Sequence, residues 1–551
     1  MRGAVTLLAS LLGCATAALA QAQTATPPDT ATPELQQPPA PRPSRAAPAL
    51  RLDAPLPTRA AGPAGGGPQV TLAAVQFSGH SVFTEAELFA ALGEVRGQAF
   101  DLAGLRGLAD RITAHYRARG YPFARALIPA QTMTAGTLRI DIIEGRFGAV
   151  RATGDDALAT AAQAFFASLA PGQVIDSARL ERAVLVLGDQ PGVRVTPVLR
   201  PGQAVGTGDL DVAVERTAPW RASLSLDNHG SRYTGRGRVN AALDADSALT
   251  LGDQISARLQ RTERSLWFGH LGYSRPLGGS GLRAELSAAR MAYTLGQEFA
   301  TLGASGTAAV TSVGLSYPLL RSSQANLSLA GSWQHRALQD RPSQAGQPTD
   351  KTSRSLPLTL SFDARDGWGG GGLTYGSLTH TPGRLRLDAT AAAMDAATAG
   401  TAGHYSKTTL ALARLQALAP AWSLHARATV QWARQNLDAS EKLSLGGASG
   451  VRAAPSGDAS GDRGWLTQWE LRHAHGAWAP FAFVDAGAVT VNARPWLGGL
   501  RQERRAGGGI GTRYSQGGVF CEATLAWRDG HRGADPQARG RQGWVSIGSS
   551  F

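Results

Sequence analysis

The stretch Trp422–Arg434 reads WSLHARATVQWAR. Its even-numbered members Trp422, Leu424, Ala426, Ala428, Val430 and Trp432 are apolar, with a tryptophan at each end. The odd-numbered members Ser423, His425, Arg427, Thr429 and Gln431 are polar. Successive side chains of a strand point to opposite faces, so this segment carries one apolar face and one wet face. An apolar face with aromatic ends suits hydrocarbon between two interfacial girdles, and a face bearing Arg and Gln suits a watery lumen. A soluble β-sandwich would also alternate and is the competing reading.

Sixteen segments of this kind follow one another between 217 and 551, from RASLSLDNHG (221–230) to GWVSIGSSF (543–551). That is about 21 residues for each strand with its loop, enough for a tilted crossing of roughly 9–11 residues. In hydrocarbon an open sheet edge leaves backbone groups unpaired, so the sheet must close. The expected fold is an all-β transmembrane barrel of 16 antiparallel strands. From residue 217 onward no helical signal is read. No stretch of 18 apolar residues occurs after the N-terminal leader, which excludes a transmembrane helix.

That leader, MRGAVTLLASLLGCATAALAQAQ, has an early charge at Arg2, an apolar run and a small-residue ALA site. It predicts a signal peptide over 1–20 and export from the cytoplasm. LLGC at 11–14 is a poor lipobox, because the apolar run continues past Cys14. With Cys14 removed, Cys521 is alone and reads as a packing residue within a strand. Residues 21–69 form a Pro-, Ala- and Thr-rich linker, for Pro at this density blocks helix and sheet.

Residues 70–216 read differently. TEAELFAALG opens with Thr84 and Glu87, a capping box. DLAGLRGLADRITAHYRARG has Asp101 as cap, and Leu102, Leu105, Leu108, Ile112 and Tyr116 on one face, before Gly120 ends it. With the strands around it, the order is β-α-α-β-β. The order repeats more weakly with Asp176 as a helix cap, giving two small α+β units at 70–146 and 147–216. The barrel takes 217–551.

The net charge of +13 comes almost wholly from Arg, since Lys351, Lys407 and Lys442 are the only lysines. The arginines are scattered at alternate strand positions rather than grouped, which excludes nucleic acid as a partner. No G-x-S-x-G, H-E-x-x-H or Walker sequence occurs. His473 and His475 share a strand face without a third ligand, so no metal, cofactor or enzymatic activity is expected.

Four segments carry a resemblance. GYPFARALIPAQTMTAGTLRIDIIEGRFGAV (120–150) resembles the end of a POTRA domain, with Gly120, Tyr121, Pro129, Gln131, Gly136, Glu144 and Gly145 in pattern. DNHGSRYTGRGRV (227–239) resembles the start of the associated barrel. SLGGASGVRAAPSGDASGDRG (444–464) resembles its sixth loop, and FAFVDAG (481–487) its strand-thirteen motif. Over Val70–Phe551 the chain resembles a two-partner secretion translocase, an outer-membrane pore for hemolysins, filamentous adhesins and contact-dependent toxins.

The resemblance implies a lumenal loop over 436–464 with the motif Gly446, Gly447, Val451, Arg452, Pro455, Gly457, Gly461 and Asp462. Its Arg452 is expected to pair with Asp485, which Phe483 and Gly487 frame. Arg offers a planar fork that matches a carboxylate, and a loop threading a lumen must be thin. Ala453 and Ala454 stand where family members have Gly or Ala and then an aromatic. The partner-binding region implied is the first POTRA unit: the groove between helix 101–119 and strand 122–129, with Leu105, Tyr116, Gly120, Tyr121, Gln131, Gly136, Glu144 and Gly145. Phe551 resembles the C-terminal signal read by the barrel-assembly machinery. The implied partners are a large secreted β-helical adhesin, hemolysin or toxin and the outer-membrane lipid, with the POTRA units in the periplasm of a Gram-negative cell. Many members also carry a pore-plugging helix; here residues near Glu34 or 50–56 are the only candidates. Assembly factors of the superfamily carry three to five POTRA units and porins none, so two units favour secretion.

Overall fold

The computed structural model describes residues 51–52, 66–343, 347–496, 498–528 and 540–551. The signal peptide and nearly all of the Pro-rich linker lie outside these residues. Within the linker, Arg51–Leu52 is a short strand, so the plug helix considered over 50–56 does not include these two residues.

The first α+β unit contains β1 (Ala74–Ser78), α1 (Glu85–Leu92), α2 (Leu102–Ala118), β2 (Arg125–Leu127) and β3 (Thr137–Ile143). β3 is central, parallel to β1 and antiparallel to β2. Thr84 and Glu87 close a capping box on α1, and Asp101 caps α2 by accepting from the Gly104 N–H at 2.7 Å. Leu105, Leu108, Ile112 and Tyr116 are buried in the core. Leu102 departs from the expected face and is 51% exposed. It is the first helical residue, where the chain has not yet turned onto the sheet.

The second unit repeats the topology with β4 (Arg146–Gly154), α3 (Asp156–Gln163), α4 (Ser177–Gly188), β5 (Val193–Pro201) and β6 (Thr207–Arg216). β6 lies between β4, to which it is parallel, and β5, to which it is antiparallel. The units are tied through backbone: Ser177 N–H donates to Gly120 O at 2.9 Å, and Ile175 N–H to Gly145 O at 2.8 Å. Arg321 of the barrel grips Asp189 with two nitrogens at 2.6 and 2.8 Å, which docks the second unit against a periplasmic turn.

The barrel strands, β7 to β22, correspond one for one to the sixteen alternating segments. They are β7 (Trp220–Asp227), β8 (Arg238–Asp246), β9 (Gln254–Thr262), β10 (Trp267–Pro276), β11 (Arg283–Thr294), β12 (Ser305–Arg321) and β13 (Ala325–Arg341). β14 comes in two pieces, Thr349–Ser355 and Leu358–Asp366, interrupted at Pro357 because proline cannot donate to the ladder. β15 (Gly372–Leu387), β16 (Gly403–Ala419), β17 (Trp422–Ala433), β18 (Arg463–His473), β19 (Trp478–Thr490), β20 (Gln502–Gln516), β21 (Val519–Arg528) and β22 (Arg541–Ser550) complete it. All neighbours are antiparallel, and β22 pairs with β7 to close the tube.

Exposed tryptophans form two belts on the outer face. Trp220, Trp422 and Trp478 lie at the end nearer the α+β units; Trp267, Trp432, Trp465 and Trp527 lie at the other. One element departs from the sequence reading. After β15 the chain forms a helix, α5 (Ala389–Ala396), capped by Asp388 accepting from Ala391 N–H at 2.8 Å. It lies in a loop beyond the bilayer, where alanines behind a capping Asp suffice for two turns and no strand pattern competes.

Candidate functional site in the barrel lumen

The alternation of β19 turns Phe481, Phe483, Asp485 and Gly487 inward. The neighbouring strand β20 sets Gly511 opposite Phe481, Gly509 opposite Phe483 and Gly507 opposite Asp485. These glycines make room. A Cβ on Gly509 or Gly511 would stand 2.5 Å from the Phe483 or Phe481 ring, and one on Gly507 would strike the Ala453 methyl. The two rings therefore lie over bare backbone and form a floor inside the wall.

Onto this floor comes the loop between β17 and β18. Leu443–Ser444 pairs with Ser460–Gly461 as a narrow neck. Gly447 (φ 121°) and Gly457 (φ 82°) adopt backbone conformations that favour glycine. A Cβ on Gly461 would meet Thr490 O at 2.5 Å, so the neck lies against β19 itself. Pro455 O accepts from Asp458 N–H at 3.1 Å, closing the turn at the tip. Gly446 bridges to Val451, which is fully buried.

Arg452 is 3% exposed and Asp485 0%. The Arg452 backbone N–H and Nε donate to Asp485 Oδ2 at 3.0 and 2.8 Å, and Nη2 donates to Oδ1 at 2.6 Å. Nη1 donates to Glu470 Oε1 at 2.6 Å. The guanidinium carbon sits 3.6 Å from the centre of the Phe483 ring, a stacked cation–π contact. Trp544 Nε1 donates to Arg452 O at 2.7 Å, and Gln468 to Gly450 O at 2.8 Å. Charges out of water are tolerable only when they are paired and hydrogen bonded, and here each guanidinium nitrogen of Arg452 donates to a carboxylate oxygen.

The structure thus brings Arg452, Phe483 and Asp485 into direct contact, with Gly487 beside them against Leu445 of the loop. Ala453 and Ala454 are buried against Phe481, Phe483 and Ala526. The wall supplies the aromatics that the loop tip lacks. Asp462 holds the neck instead, accepting from the backbone of Leu437 (3.1 Å) and Ala493 (2.7 Å) with Lys442 at 3.3 Å.

Several functional groups were not singled out in the sequence. Glu470 also pairs with Arg472 at 2.6 Å and Arg513 at 3.1 Å, so it joins Arg452 to a wider charge cluster. Asp458 at the loop tip is gripped by Arg505 (2.8 Å) and Arg528 (3.2 Å). Glu441 before the neck pairs with Arg336 (2.5 Å) and Lys407 (2.7 Å). The inward parity of Glu470 and Arg505 and the alternate glycines of AGGGIG (506–511) were the available signals. At the barrel start, Asp227 pairs with Arg238 at 2.7 Å, and the next turn meets the loop where Ser456 donates to His229 O at 2.7 Å.

In the first α+β unit, Leu105 and Tyr116 are buried in the core. Glu144 is buried too. It accepts from the Ser81 backbone (2.6 Å) and hydroxyl (2.5 Å), the Val82 backbone (2.8 Å) and the Tyr116 hydroxyl (3.1 Å), and it pairs with Arg146 at 2.7 Å. Burial would raise its carboxyl, but the Ser81, Val82 and Tyr116 hydrogen bonds outweigh that and hold it below the usual carboxylate range. The same burial beside Glu144 raises the Tyr116 hydroxyl. Gln131 bridges the backbone N–H (2.9 Å) and O (2.8 Å) of Arg139. Gly120, Gly136 and Gly145 take positive φ at turns, and Tyr121 packs edge-on against Tyr116 and Phe83. These residues build the unit; Leu105, Tyr116 and Glu144 present no side chain to a partner.

His473 and His475 stack with ring centres 6.3 Å apart. Among the described residues no group of three or more His, Cys, Asp or Glu is arranged to hold a metal. Phe551 extends past β22 and exchanges backbone hydrogen bonds with Ala222 at 2.8 and 3.2 Å.

Comparison with known proteins decides the family. Residues 206–514 match the family described as haemolysin secretion/activation protein ShlB/FhaC/HecB. The chain belongs to the ShlB/FhaC/HecB family. Residues 70–145 match the ShlB-type POTRA domain, so the first α+β unit of this family member is a POTRA domain. The chain is 28% identical over 381 residues to the heme/hemopexin transporter protein HuxB of Haemophilus influenzae, covering 68% of this chain and 67% of HuxB. It is 25% identical over 492 residues to the outer membrane transporter CdiB of Escherichia coli O6:K15:H31, covering 84% and 78%. Among solved structures, CdiB from Escherichia coli shares the fold, with a TM-score of 0.71 at 21% identity over 92% of this chain and 94% of that one. CdiB from Acinetobacter baumannii gives 0.66 at 17% identity, over 89% and 91%. This member of the ShlB/FhaC/HecB family is an outer-membrane β-barrel transporter of the two-partner secretion type.

Proposed function

We propose that this chain recognises a partner exoprotein in the periplasm through its POTRA units and passes it, unfolded and without ATP, through the barrel to the cell surface. The observation that carries the reading is a pair of small α+β units docked at one mouth of a closed 16-strand barrel whose lumen holds a pinned loop. In this reading residues 1–20 are the signal peptide, 21–69 a linker, 70–146 and 147–216 the two POTRA domains, and 217–551 the barrel.

An extended chain binds a sheet edge through backbone hydrogen bonds. Strand β2, beside α2, is paired on one side by β3 and supports the groove between helix 101–119 and strand 122–129 as the docking place. The exoprotein is of the adhesin, hemolysin or contact-dependent toxin class. Folding outside the cell biases the chain forward, and the protein performs no catalysis. The C-terminal strand with Phe551 serves the barrel-assembly machinery, and the outer tryptophan belts meet lipid.

The test is secretion of a cognate exoprotein co-expressed with this chain. Deletion of residues 70–216 is expected to abolish it while the barrel still inserts; undiminished secretion refutes the reading.

A further inference from the structure

Four neighbouring strands carry a row of basic side chains on the outside of the barrel. The registers set His335 of β13 opposite Arg354 of β14, Arg354 opposite Arg384 of β15, and Arg384 opposite His404 of β16. Their chain neighbours Ser353, Ser355, Leu385 and Tyr405 are buried, and Tyr405 donates to Glu441 at the base of the lumenal loop at 3.0 Å. Alternate residues of a strand point to opposite faces, so Arg354, Arg384 and His404, all exposed, project away from the lumen. His335 shares their face and stacks on the exposed Trp333 with ring planes 9° apart. Like charges directly opposite each other destabilise a sheet. Arginines facing the lumen are offset by carboxylates, as Arg336, Arg452 and Arg505 show. So is Arg414, which faces outward near the periplasmic rim and pairs with Asp366 at 2.8 Å. Among the described residues, by contrast, Arg354 and Arg384 have neither a carboxylate nor a hydrogen-bond partner. The acid nearest along β14, Asp350, stands four positions farther out and is bonded to Gln339 at 2.9 Å.

The row stands at the end of the barrel remote from the α+β units. β13 leaves the turn that Arg321 docks on Asp189 and reaches His335 ten residues after Ala325. Ten residues rise roughly 33 Å along a strand, and a tilt of about 40° leaves about 25 Å of height, the depth of the apolar band of such a barrel. On the bilayer side of the row, Trp333, Leu356, Leu358 and Leu378 are exposed on the same outer face. The surface therefore has two parts, an apolar wall and a pair of unmatched guanidinium groups at its outer margin. An amphiphile with phosphate above its acyl chains fits both. Arg forks take phosphate oxygens bidentately, and basic clusters at a membrane margin hold phosphorylated head groups. A phosphate between the two forks also removes their mutual repulsion. We propose that Arg354 and Arg384, flanked by His335 and His404, bind a phosphate of lipid A, the phosphorylated glycolipid of the outer leaflet, with its acyl chains against Trp333, Leu356 and Leu378. The site rests on the placement of the barrel in the outer membrane and not on what the barrel exports.

The probe is diphosphoryl lipid A, titrated into the full-length protein in detergent, with bound lipid counted by native mass spectrometry. The double variant Arg354→Gln, Arg384→Gln is expected to bind it about tenfold more weakly than the unaltered chain, since two charge-assisted contacts are lost. Arg290→Gln removes a different exposed arginine, on β11, and is expected to bind as the unaltered chain does. Lipid A stripped of both phosphates is expected to bind the unaltered chain about tenfold more weakly than the diphosphoryl form. Excess inorganic phosphate is expected to leave lipid A bound, because it lacks the acyl contacts. Equal binding by the double variant and the unaltered chain overturns the proposal, as does an equal loss in Arg290→Gln. Equal binding of the stripped lipid overturns the role of phosphate, and displacement by inorganic phosphate makes the row a site for free anions instead. The stripped-lipid arm leaves the protein unaltered, so it stands even where the double variant disturbs folding. None of these readouts uses export, so their failure and the failure of the export reading are told apart.

Discussion

Arg452 and Asp485 meet through three hydrogen bonds, at 2.6, 2.8 and 3.0 Å, one of them from the Arg452 backbone. A contact that uses both main chain and side chain fixes the position of the loop and its direction together.

Loss of Arg452 is more damaging than loss of its second partner, Glu470. Glu470 keeps Arg472 and Arg513 when Arg452 is removed, but Asp485 loses the cation it pairs with. Breaking a buried pair costs about 3–5 kcal/mol. Arg452→Ala is expected to lower the unfolding temperature of the detergent-solubilised barrel well below that of Glu470→Gln. Arg452→Lys keeps the charge and loses the fork, and should fall between them. An unfolding series by heat-modifiability on gels reads the order.

The glycine floor gives a steric prediction. Gly509→Val would strike the Leu525 carbonyl oxygen of β21 as well as the Phe483 ring, with an overpacking cost of about 1–3 kcal/mol or more. Gly543→Ala is the control, because a Cβ there meets nothing nearer than Thr524 O at 4.0 Å. Thermal unfolding should separate the two variants, with the second near wild type.

A pH dependence belongs to the first α+β unit. The folded Glu144 carboxyl lies below its unfolded value, so its stabilisation is complete above the ordinary Glu pKa of about 4.3 and is lost as pH falls through the depressed folded value. Hydrogen exchange at the Ser81 and Val82 amides should stay slow near neutral pH and lose protection in acid. Glu144→Gln should remove that dependence. A protection profile unchanged by the substitution would argue against Glu144 as the titrating group.

The loop tip has a second clasp, Asp458 with Arg505 and Arg528. Asp458→Asn releases both arginines, whereas Arg505→Ala leaves Arg528 in place. In planar bilayers Asp458→Asn is expected to show more frequent conductance fluctuations than Arg505→Ala. Equal traces from both variants and wild type would mean that the tip is held elsewhere.

The barrel was legible because hydrocarbon demands strict alternation, and every one of the sixteen strands was found at its place. Their ends were less so. β12 begins at Ser305 and pairs with β13 out to Arg341, beyond any bilayer crossing. Outside the membrane both faces are wet, and the pattern that marks a strand disappears although the ladder continues. The same loss hid α5. The Arg452–Asp485 contact came from resemblance, since 33 residues and a loop separate the pair. Glu470 and the Gly507–Gly509–Gly511 track escaped notice because their meaning depends on which residues stand opposite on the next strand, and a single sequence does not print register.

Every fastening of the lumenal loop described above belongs either to its base, on Arg336 and Lys407, or to the stretch of wall from β18 round to β22 and the turn at His229. The loop is moored to one bank. The described contacts therefore hold the loop from one side of the lumen, and none of them reaches β8 to β12.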